Sequence, residues 1–330
     1  MTATPHIDIP HEAAPMLAMW TAFPSHADLW QDNLAGAQEE VAAMIRALAS
    51  AGPVNVLVSG SDALARAHHL CNHANVTLVP AQFGDIWLRD TGPIFAKVDG
   101  AKKALRFLTN GWGGKYDLPF DDSVGDTVAQ TAAVAIIPHD YVIEGGALEF
   151  DGAGTILTTR ECLLNDNRNG PVTEAQVTAR LQHDFGAQRV IWLDGGLTND
   201  HTDGHIDNLA RFVAPGHALC QSAFGDDDPN AEIFAQTEAA LRAAGLQVST
   251  LPSPGLVTDE DGEPVAASHM NYIIYNGVIV MPSYGSASAE DARQKLAQLF
   301  PHHRVVALPA RHVLTGGGSF HCITQQEIHA

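Results

Sequence analysis

The segment NYIIYNGVIVMPSYGSASAEDARQKLAQLFPHHRVVALP (residues 271–309) contains one complete structural unit. Two apolar runs flank Asn276-Gly277, and an Asn-Gly pair between β-rich runs is typical of a tight hairpin turn. Residues 288–300 then carry apolar side chains at helical spacing, and RVVALP (304–309) is a short β-rich run. The segment therefore predicts a hairpin, a helix and a further strand in succession.

The same order of patterns recurs along the chain. Hairpin patterns lie at 93–108, 147–159 and 209–222, helical patterns lie at 34–52, 61–74, 173–187 and 229–245, and β-rich runs lie at 54–59, 76–80, 189–194 and 246–252. A recurring unit of this kind is the signature of a repeat architecture. We expect a single domain over residues 1–330, an α/β five-bladed propeller whose pseudo-five-fold ββαβ repeats surround a central pocket. An open doubly wound sheet is the alternative, but that fold does not need a hairpin in each unit.

The last unit lacks a partner for its hairpin because the chain ends soon after GGGSFHC (316–322). The N-terminal run MLAMWTAFPSH (16–26) has the composition of a strand. Pairing between these two segments would close the ring and hold Cys322 on an inner strand.

Polar residues precede each hairpin. They occur in DIWLRDTGP (85–93), YVIEGG (141–146), NDHTDGHIDN (199–208), AASHMN (266–271) and GGGSFHC (316–322). In a closed ring these equivalent positions converge on one pocket. The most reactive of these side chains are listed in chain order: Asp85, Asp90, Glu144, His201, Asp203, His205, Asp207, His269, Asn271, His321 and Cys322.

The charge balance restricts the partners. There are 18 Lys and Arg against 38 Asp and Glu, a formal charge of −20. A nucleic-acid partner requires a basic footprint, whereas an acidic protein attracts cationic ligands. No apolar run has the length of a membrane span, and the first residues lack the features of a signal peptide. We expect a cytoplasmic protein with a small cationic ligand, no nucleic-acid or membrane partner, and a possible homo-oligomeric state.

The four cysteines, Cys71, Cys162, Cys220 and Cys322, form no CxxC pair. Cysteines scattered in this way are mostly buried apolar residues. A metal site is a second interpretation of HTDGHID (201–207), since its histidine and aspartate side chains are typical Zn or Mn ligands. On a strand, His205 and Asp207 would point to the same face. A non-catalytic binding protein for cationic amines is a third interpretation.

Six motifs together resemble the agmatine deiminases, which belong with the arginine and peptidylarginine deiminases to the guanidine-modifying pentein superfamily. They are WLRDTGP (87–93), EGG (144–146) with DGAGT (151–155), ECLLNDNRN (161–169), TDGHIDN (202–208), FPHHRVV (300–306) and GGGSFHCITQQ (316–326). The resemblance implies a five-bladed propeller and the hydrolysis of agmatine to N-carbamoylputrescine and ammonia, a step toward polyamines. It implies neither a cofactor nor a metal. A deiminase of another guanidine is the alternative.

The resemblance also implies residue roles. Cys322 falls on the nucleophile, His205 on the general acid/base, and Glu144 on the carboxylate that supports this histidine. Asp90 and Asp207 fall on the carboxylates that hold the guanidinium, a planar cation suited to bidentate pairing. Further candidates for substrate contact are Trp87, Trp112, Asn271, Gly317 and Gly318. Candidates to receive a substrate carboxylate are Arg89, Lys115 and Arg168.

Overall fold

Seventeen strands form five separate sheets in the computed structural model, which describes residues 5–330. The strands are β1 (Ile7–Asp8), β2 (Met16–Ala22), β3 (Val54–Val58), β4 (Val76–Pro80), β5 (Ile94–Val98), β6 (Ala101–Leu108), β7 (Ile136–Val142), β8 (Glu149–Phe150), β9 (Thr155–Thr159), β10 (Arg189–Leu193), β11 (Ala210–Ala214), β12 (His217–Ser222), β13 (Gln247–Pro252), β14 (Ile273–Tyr275), β15 (Val278–Ser283), β16 (Arg304–Pro309) and β17 (Thr324–Ile328).

Six helices of eight or more residues connect strands, and the others are single turns. The helices are α1 (Ala27–Trp30), α2 (Leu34–Ala49), α3 (Ser61–Leu70), α4 (Leu88–Thr91), α5 (Gly111–Gly114), α6 (Val124–Thr131), α7 (Arg160–Leu163), α8 (Asp166–Asn169), α9 (Glu174–Phe185), α10 (Ala231–Ala243), α11 (Ala289–Leu299) and α12 (Arg311–Leu314). Three 3-10 helices span Gln31–Asn33, Gly145–Ala147 and Ile206–Asn208. Within residues 5–330, no helix combines the length and apolar character needed to cross a membrane.

All five sheets share one topology. An antiparallel pair is followed by a helix, which leads to a strand parallel to the second member of the pair. The orders are β5-β6-β7, β8-β9-β10, β11-β12-β13, β14-β15-β16 and β17-β2-β3, and β1 and β4 extend the first and the last of these. The predicted unit of hairpin, helix and strand is therefore present in four sheets, and in the fifth the antiparallel pair is formed by the two ends of the chain.

The assignment of helices to units differs from the expectation. Helices α2 and α3 both belong to the sheet that contains β2, while α6 and β7 were not predicted. Helix α6 has eight residues, and its sequence VGDTVAQT offers few apolar positions at helical spacing. Strand β7 is interrupted by Pro138, which removes a ladder donor and weakens the strand pattern.

The polar residues of the motifs lie before strands rather than on them, which corrects the strand interpretation. Asp90 lies in the single turn α4, and His205 begins the 3-10 helix Ile206–Asn208. Cys322 lies in a turn just before β17. Alternation with period two therefore does not determine where these side chains point. Near His205 an extended strand is broken because Asp203 and Gly204 both adopt left-handed backbone angles.

The two ends of the chain are joined, as the sequence predicts. Strand β17 pairs antiparallel with β2, and Gln325 lies opposite Trp20. The indole N–H of buried Trp20 donates to Glu327 at 2.9 Å, and Lys102 forms an ion pair with the same carboxylate. Strand β17, which follows Cys322, is therefore held both by its pairing with β2 and by the contacts of Glu327 with Trp20 and Lys102.

Removing the Glu327 carboxylate should destabilise this closure. Glu327→Ala leaves the Trp20 indole N–H buried without an acceptor, and we expect the free energy of unfolding to fall by about 2–3 kcal/mol. Urea unfolding followed by tryptophan fluorescence measures the change. Glu290→Ala is the control because this exposed carboxylate pairs only on the surface. An equal shift of the unfolding midpoint in both variants would contradict the anchoring role.

Candidate active site

A cavity of about 200 Å³ opens among the segments that precede the strands. Asp90 and Cys322 lie in its wall, together with the glycine run 316–318. Aromatic side chains cover much of the remainder, namely Trp30, Trp87, Trp112 and Tyr116. Buried acids, a thiol and aromatic walls meet here, which is the usual character of a small-molecule site.

Asp90 is fixed by two uncharged donors. The Trp112 indole N–H donates to one carboxylate oxygen at 2.9 Å, and the Gly146 backbone N–H donates to the other at 2.9 Å. Burial raises the pKa of Asp90; the charge of His205 opposes this effect, and the nearby carboxylates of Glu144 and Asp207 add to it. A bound cation would remove this penalty and favour the carboxylate.

The turn that supplies Trp112 is strained. Trp112 has a φ of 53°, and it lies between Gly111 and Gly113, whose φ values of 65° and 83° are also left-handed. The Asn110 side chain accepts the Gly113 N–H at 3.0 Å and holds the turn. This conformation is unfavourable for tryptophan, and it places the indole N–H on Asp90.

Asp207 keeps one oxygen available. Its Oδ2 contacts the His321 ring at 2.8 Å, whereas its buried Oδ1 has no hydrogen-bond partner within the described residues. Burial would raise the pKa of Asp207, but the His321 hydrogen bond and charge hold it below its ordinary value. An unpaired buried carboxylate oxygen is costly, so it marks a position where a donor should bind.

Cys322 lies beside these acids. Its Sγ is 3.6 Å from Asp207 Oδ2, and the Asn271 amide donates to the sulfur at 3.1 Å. Burial raises the pKa of the thiol well above its ordinary value, and the charges of Asp207 and Asp90 raise it further. The thiol form of Cys322 is therefore favoured among these acids. A bound cation remains as the activator.

His205 is a buried imidazole between two acids. Its Nε2 is 2.9 Å from Glu144, and its Nδ1, which has no hydrogen-bond partner among residues 5–330, is 3.7 Å from Asp90. Burial would lower the pKa of His205, but the Asp90 charge and the hydrogen bonds with Cys162 and Glu144 raise it well above the ordinary value. The imidazolium form, a proton donor, is thus favoured at neutral pH.

Arg168 holds Glu144, a role that the sequence did not reveal. Its guanidinium contacts both Glu144 oxygens at 2.9 and 3.0 Å, and it also binds Asp203 at 2.6 Å. The Arg168 side chain is only 1% exposed. It is therefore a support for Glu144 rather than a receiver for a substrate carboxylate. The motif ECLLNDNRN (161–169) marked this segment as part of the family pattern. Its residue spacing could not show that Arg168 would lie against Glu144.

The glycine run packs against tryptophan. A Cβ on Gly318 would lie 2.6 Å from the Trp87 ring and 3.2 Å from Cys322 Cβ, and a Cβ on Gly316 would lie 2.7 Å from the same ring. Asp85 accepts both the Trp87 and the Trp30 indole N–H at 2.9 Å. The glycines thus bring the backbone close to a fixed aromatic wall.

The ligand set suggested by HTDGHID is not formed. Asp203 pairs with Lys115 and Arg168, and the His201 ring contacts the Tyr116 hydroxyl at 2.8 Å. Among the described residues, the histidine, cysteine and acidic side chains with ligand atoms within 4.8 Å of one another are Glu144, Cys162 and His205. The segment instead contributes His201 to the pocket wall, while His205 and Asp207 are fully buried beside Asp90 and Cys322 and do not line the cavity.

Comparison with known proteins identifies the family of this chain. The family model of the Porphyromonas-type peptidyl-arginine deiminases matches residues 8–327. This chain belongs to that family. Agmatine deiminases of Stutzerimonas stutzeri and Pseudomonas aeruginosa are 35% and 36% identical to it, each over 99% of this chain and over 98% and 97% of their own length. The resemblance inferred from the motifs is confirmed.

Solved structures of the family have the same fold. An agmatine deiminase variant of C. jejuni with substrate bound superimposes with a TM-score of 0.93 at 25% identity, covering 99% of this chain and 97% of that one. The agmatine deiminase of Enterococcus faecalis gives a TM-score of 0.91 at 28% identity, covering 99% and 98%. The chain therefore has the mixed α/β fold of these enzymes.

Alkylation should reveal the need for a cation beside Cys322. We expect a cationic haloacetamidine to label this thiol at least about tenfold faster than the neutral haloacetamide of the same size, because its charge favours the thiolate. Rates are measured by peptide mass spectrometry at pH 7.5. The Asp207→Asn variant should lose most of the preference. Equal rates for both reagents in the unmodified protein would contradict activation by a bound cation.

Proposed function

We propose that this protein is a hydrolase that converts agmatine to N-carbamoylputrescine and ammonia. The observation that carries the proposal is the buried Cys322 thiol, which lines a small pocket together with Asp90 and lies 3.6 Å from Asp207 behind the pocket wall. This arrangement disfavours the thiolate when empty and favours it when a guanidinium is bound. The similarity to agmatine deiminases over nearly the whole chain supports the same conclusion.

The guanidinium binds between the two carboxylates. Asp207 Oδ1 is free to accept an N–H, and Asp90 receives the cation on the other side of the pocket. The Trp87 and Trp112 rings exclude water and offer their faces to a cation. The backbone at Gly317 and Gly318 completes the wall, and Asn271 keeps the sulfur in place. Holding the reacting carbon beside Cys322 is a large part of the rate enhancement.

The chemistry proceeds in two halves. Binding of the cation releases the Cys322 proton, and the thiolate attacks the guanidinium carbon to give a tetrahedral adduct. The His205 imidazolium protonates the departing nitrogen, and ammonia leaves. His205 then takes a proton from water, which attacks the thiouronium carbon. Collapse breaks the C–S bond, releases the urea product and restores the thiol. Glu144, held by Arg168, orients His205.

The cations near the site favour agmatine over arginine. Arg89 contacts Glu12 at 3.3 Å and Gln326 at 2.8 Å, while Arg168 and Lys115 are paired with acids. None of these three is left to receive an α-carboxylate. The net charge of −20 also favours a dication over a ligand that carries a carboxylate.

The remaining inferences concern the whole chain. The five sheets act as blades of one α/β propeller around the pocket, in a single domain of residues 1–330, of which 1–4 lie outside the described residues. The protein acts in the cytoplasm without a cofactor or metal, and it associates with neither nucleic acid nor membrane. Its product is a carbamoylated diamine, consistent with putrescine and polyamine formation.

Ammonia release across three guanidines tests the proposal. We expect kcat/KM for agmatine to exceed that for arginine by at least about tenfold, a difference of roughly 1.4 kcal/mol. Peptidyl arginine should react more slowly than agmatine. Cys322→Ser is the blank and should lose activity by several decades.

Turnover of peptidyl arginine alone, or equal rates on agmatine and arginine, would refute the substrate but not the chemistry. An active Cys322→Ala variant would refute the chemistry itself. Loss of activity on prolonged EDTA treatment, with recovery on adding Zn or Mn, would favour a metal-dependent hydrolase.

A further inference from the structure

His321 is clamped between two carboxylates. Its Nδ1 is 2.8 Å from Asp207 Oδ2, and its Nε2 is 2.7 Å from Glu12 Oε1. The side chain is 1% exposed, so water cannot substitute for either partner. A neutral imidazole carries a proton on only one nitrogen, whereas a carboxylate can only accept. Both contacts are satisfied together only when His321 is an imidazolium.

Glu12 is itself held as a carboxylate. It lies between β1 and β2, and it forms ion pairs with Arg211 and with Arg89. Burial would raise the pKa of Glu12, but the charges of Arg211, His321 and Arg89 hold it well below its ordinary value. Arg211 is fixed in turn by Glu149 at 2.7 Å. The segment between β1 and β2 thus supplies a charged partner to the ring of His321.

The two carboxylates near Cys322, Asp90 and Asp207, consequently have pKa values shifted in opposite directions. Asp90 receives only uncharged donors, and its pKa is raised by burial and by neighbouring acids. Asp207 is equally buried, but its pKa is lowered against the effect of burial, with His321 as the largest favourable contribution and with His205 and Arg211 contributing their charges. The difference between the two sites is the hydrogen bond: His321 contacts Asp207 at 2.8 Å, whereas the His205 ring lies 3.7 Å from Asp90 and forms no hydrogen bond with it.

We propose that His321 and Glu12 are positioning residues which keep Asp207 ionised and leave its Oδ1 oriented for the substrate. This inference rests on the proposed function, because it assigns Asp207 to guanidinium binding. Glu12 contacts His321, and His321 contacts Asp207, so the effect of Glu12 reaches Asp207 through the His321 ring. Neither positioning residue lines the pocket, and both act on the substrate only through Asp207.

A pH profile of kcat/KM for agmatine in His321→Gln tests the role. Glutamine can still donate to Asp207 but carries no charge, so Asp207 should become protonated at higher pH than in the unmodified enzyme. We expect the acidic limb to move up by about one to two pH units, so that kcat/KM on that limb falls by about tenfold for each unit of the shift. Most of the activity should return at pH above the shifted limb. A uniform loss at every pH would indicate a merely structural role and overturn the proposal.

Glu12→Gln gives the complementary profile. His321 then faces one carboxylate instead of two, so its positive charge is less favoured and Asp207 loses part of its support, which should move the acidic limb up in the same direction as in His321→Gln. The matched control is Glu149→Gln, which removes a buried carboxylate from Arg211 but none from His321. Its pH profile should keep both limbs in place. A profile altered equally in the Glu12 and Glu149 variants would contradict the assignment.

A spectroscopic measurement separates this inference from the proposed function. In protein labelled with ¹⁵N-histidine, with His321→Gln used for assignment, both His321 ring nitrogens should carry protons in the folded protein, each donated to one of the two carboxylates. A single protonated nitrogen would overturn the inference whatever the enzyme acts on. Both ring nitrogens could be protonated in an unmodified protein that releases no ammonia from any guanidine. In that case the proposed function would fail, while the contacts of His321 with Glu12 and Asp207 would still be confirmed.

Discussion

The site depends on the electrostatic cost of an empty pocket. Asp90, Asp207 and Glu144 are all buried, and a thiol lies against two of them. Negative charge in such a place is expensive unless it is compensated. Part of the compensation comes from His205, His321 and Arg168, and the rest must come from a ligand. The unpaired Oδ1 of Asp207 and the raised pKa of Cys322 are both consequences of this incomplete balance.

The fold serves this balance by bringing short segments together from different sheets. Asp90, Glu144, His205 and Cys322 each lie in a turn near the end of a strand, where the backbone can position a side chain without the alternation of a sheet. The pairing of β17 with β2 fixes the Cys322 segment, although it lies close to the end of the chain. The absence of side chains at Gly316 and Gly318 allows the backbone before Cys322 to pack closely against the Trp87 ring. The result is a small pocket with aromatic walls and buried acids, whose charge suits a planar cation.

Much of this could be predicted from the sequence. The hairpins carry clear turn residues, such as Asn276-Gly277, and the long helices α2, α9, α10 and α11 have strong apolar periodicity, so local patterns were sufficient for them. Helix α6 and β7 were missed because a short helix and a strand with an internal proline carry weak patterns. The polar residues before each hairpin were recognised because they recur.

The contacts that tune the site could not be predicted in the same way. Arg168 reaches Glu144 across 24 residues, and His321 reaches Glu12 across 309 residues. No local spacing encodes such pairs, and only the completed fold brings them together. The direction of the Cys322 pKa could not be predicted either, because it depends on burial and on two carboxylates from other segments. The motifs were sufficient to predict the chemical role of individual residues. They were not sufficient to predict how the charges of these residues affect one another's pKa values.

The most direct test of the account is a titration of the Cys322 thiolate with and without a bound cation. Thiolate absorbance in the ultraviolet is followed against pH, with Cys322→Ser subtracted as the blank, in the free protein and in the protein saturated with an alkylamidinium that mimics the guanidinium. The account predicts no Cys322 thiolate at neutral pH in the free protein and a midpoint lower by at least about two pH units when the cation is bound. A thiolate already present in the free protein, or a midpoint that the cation does not move, would contradict it.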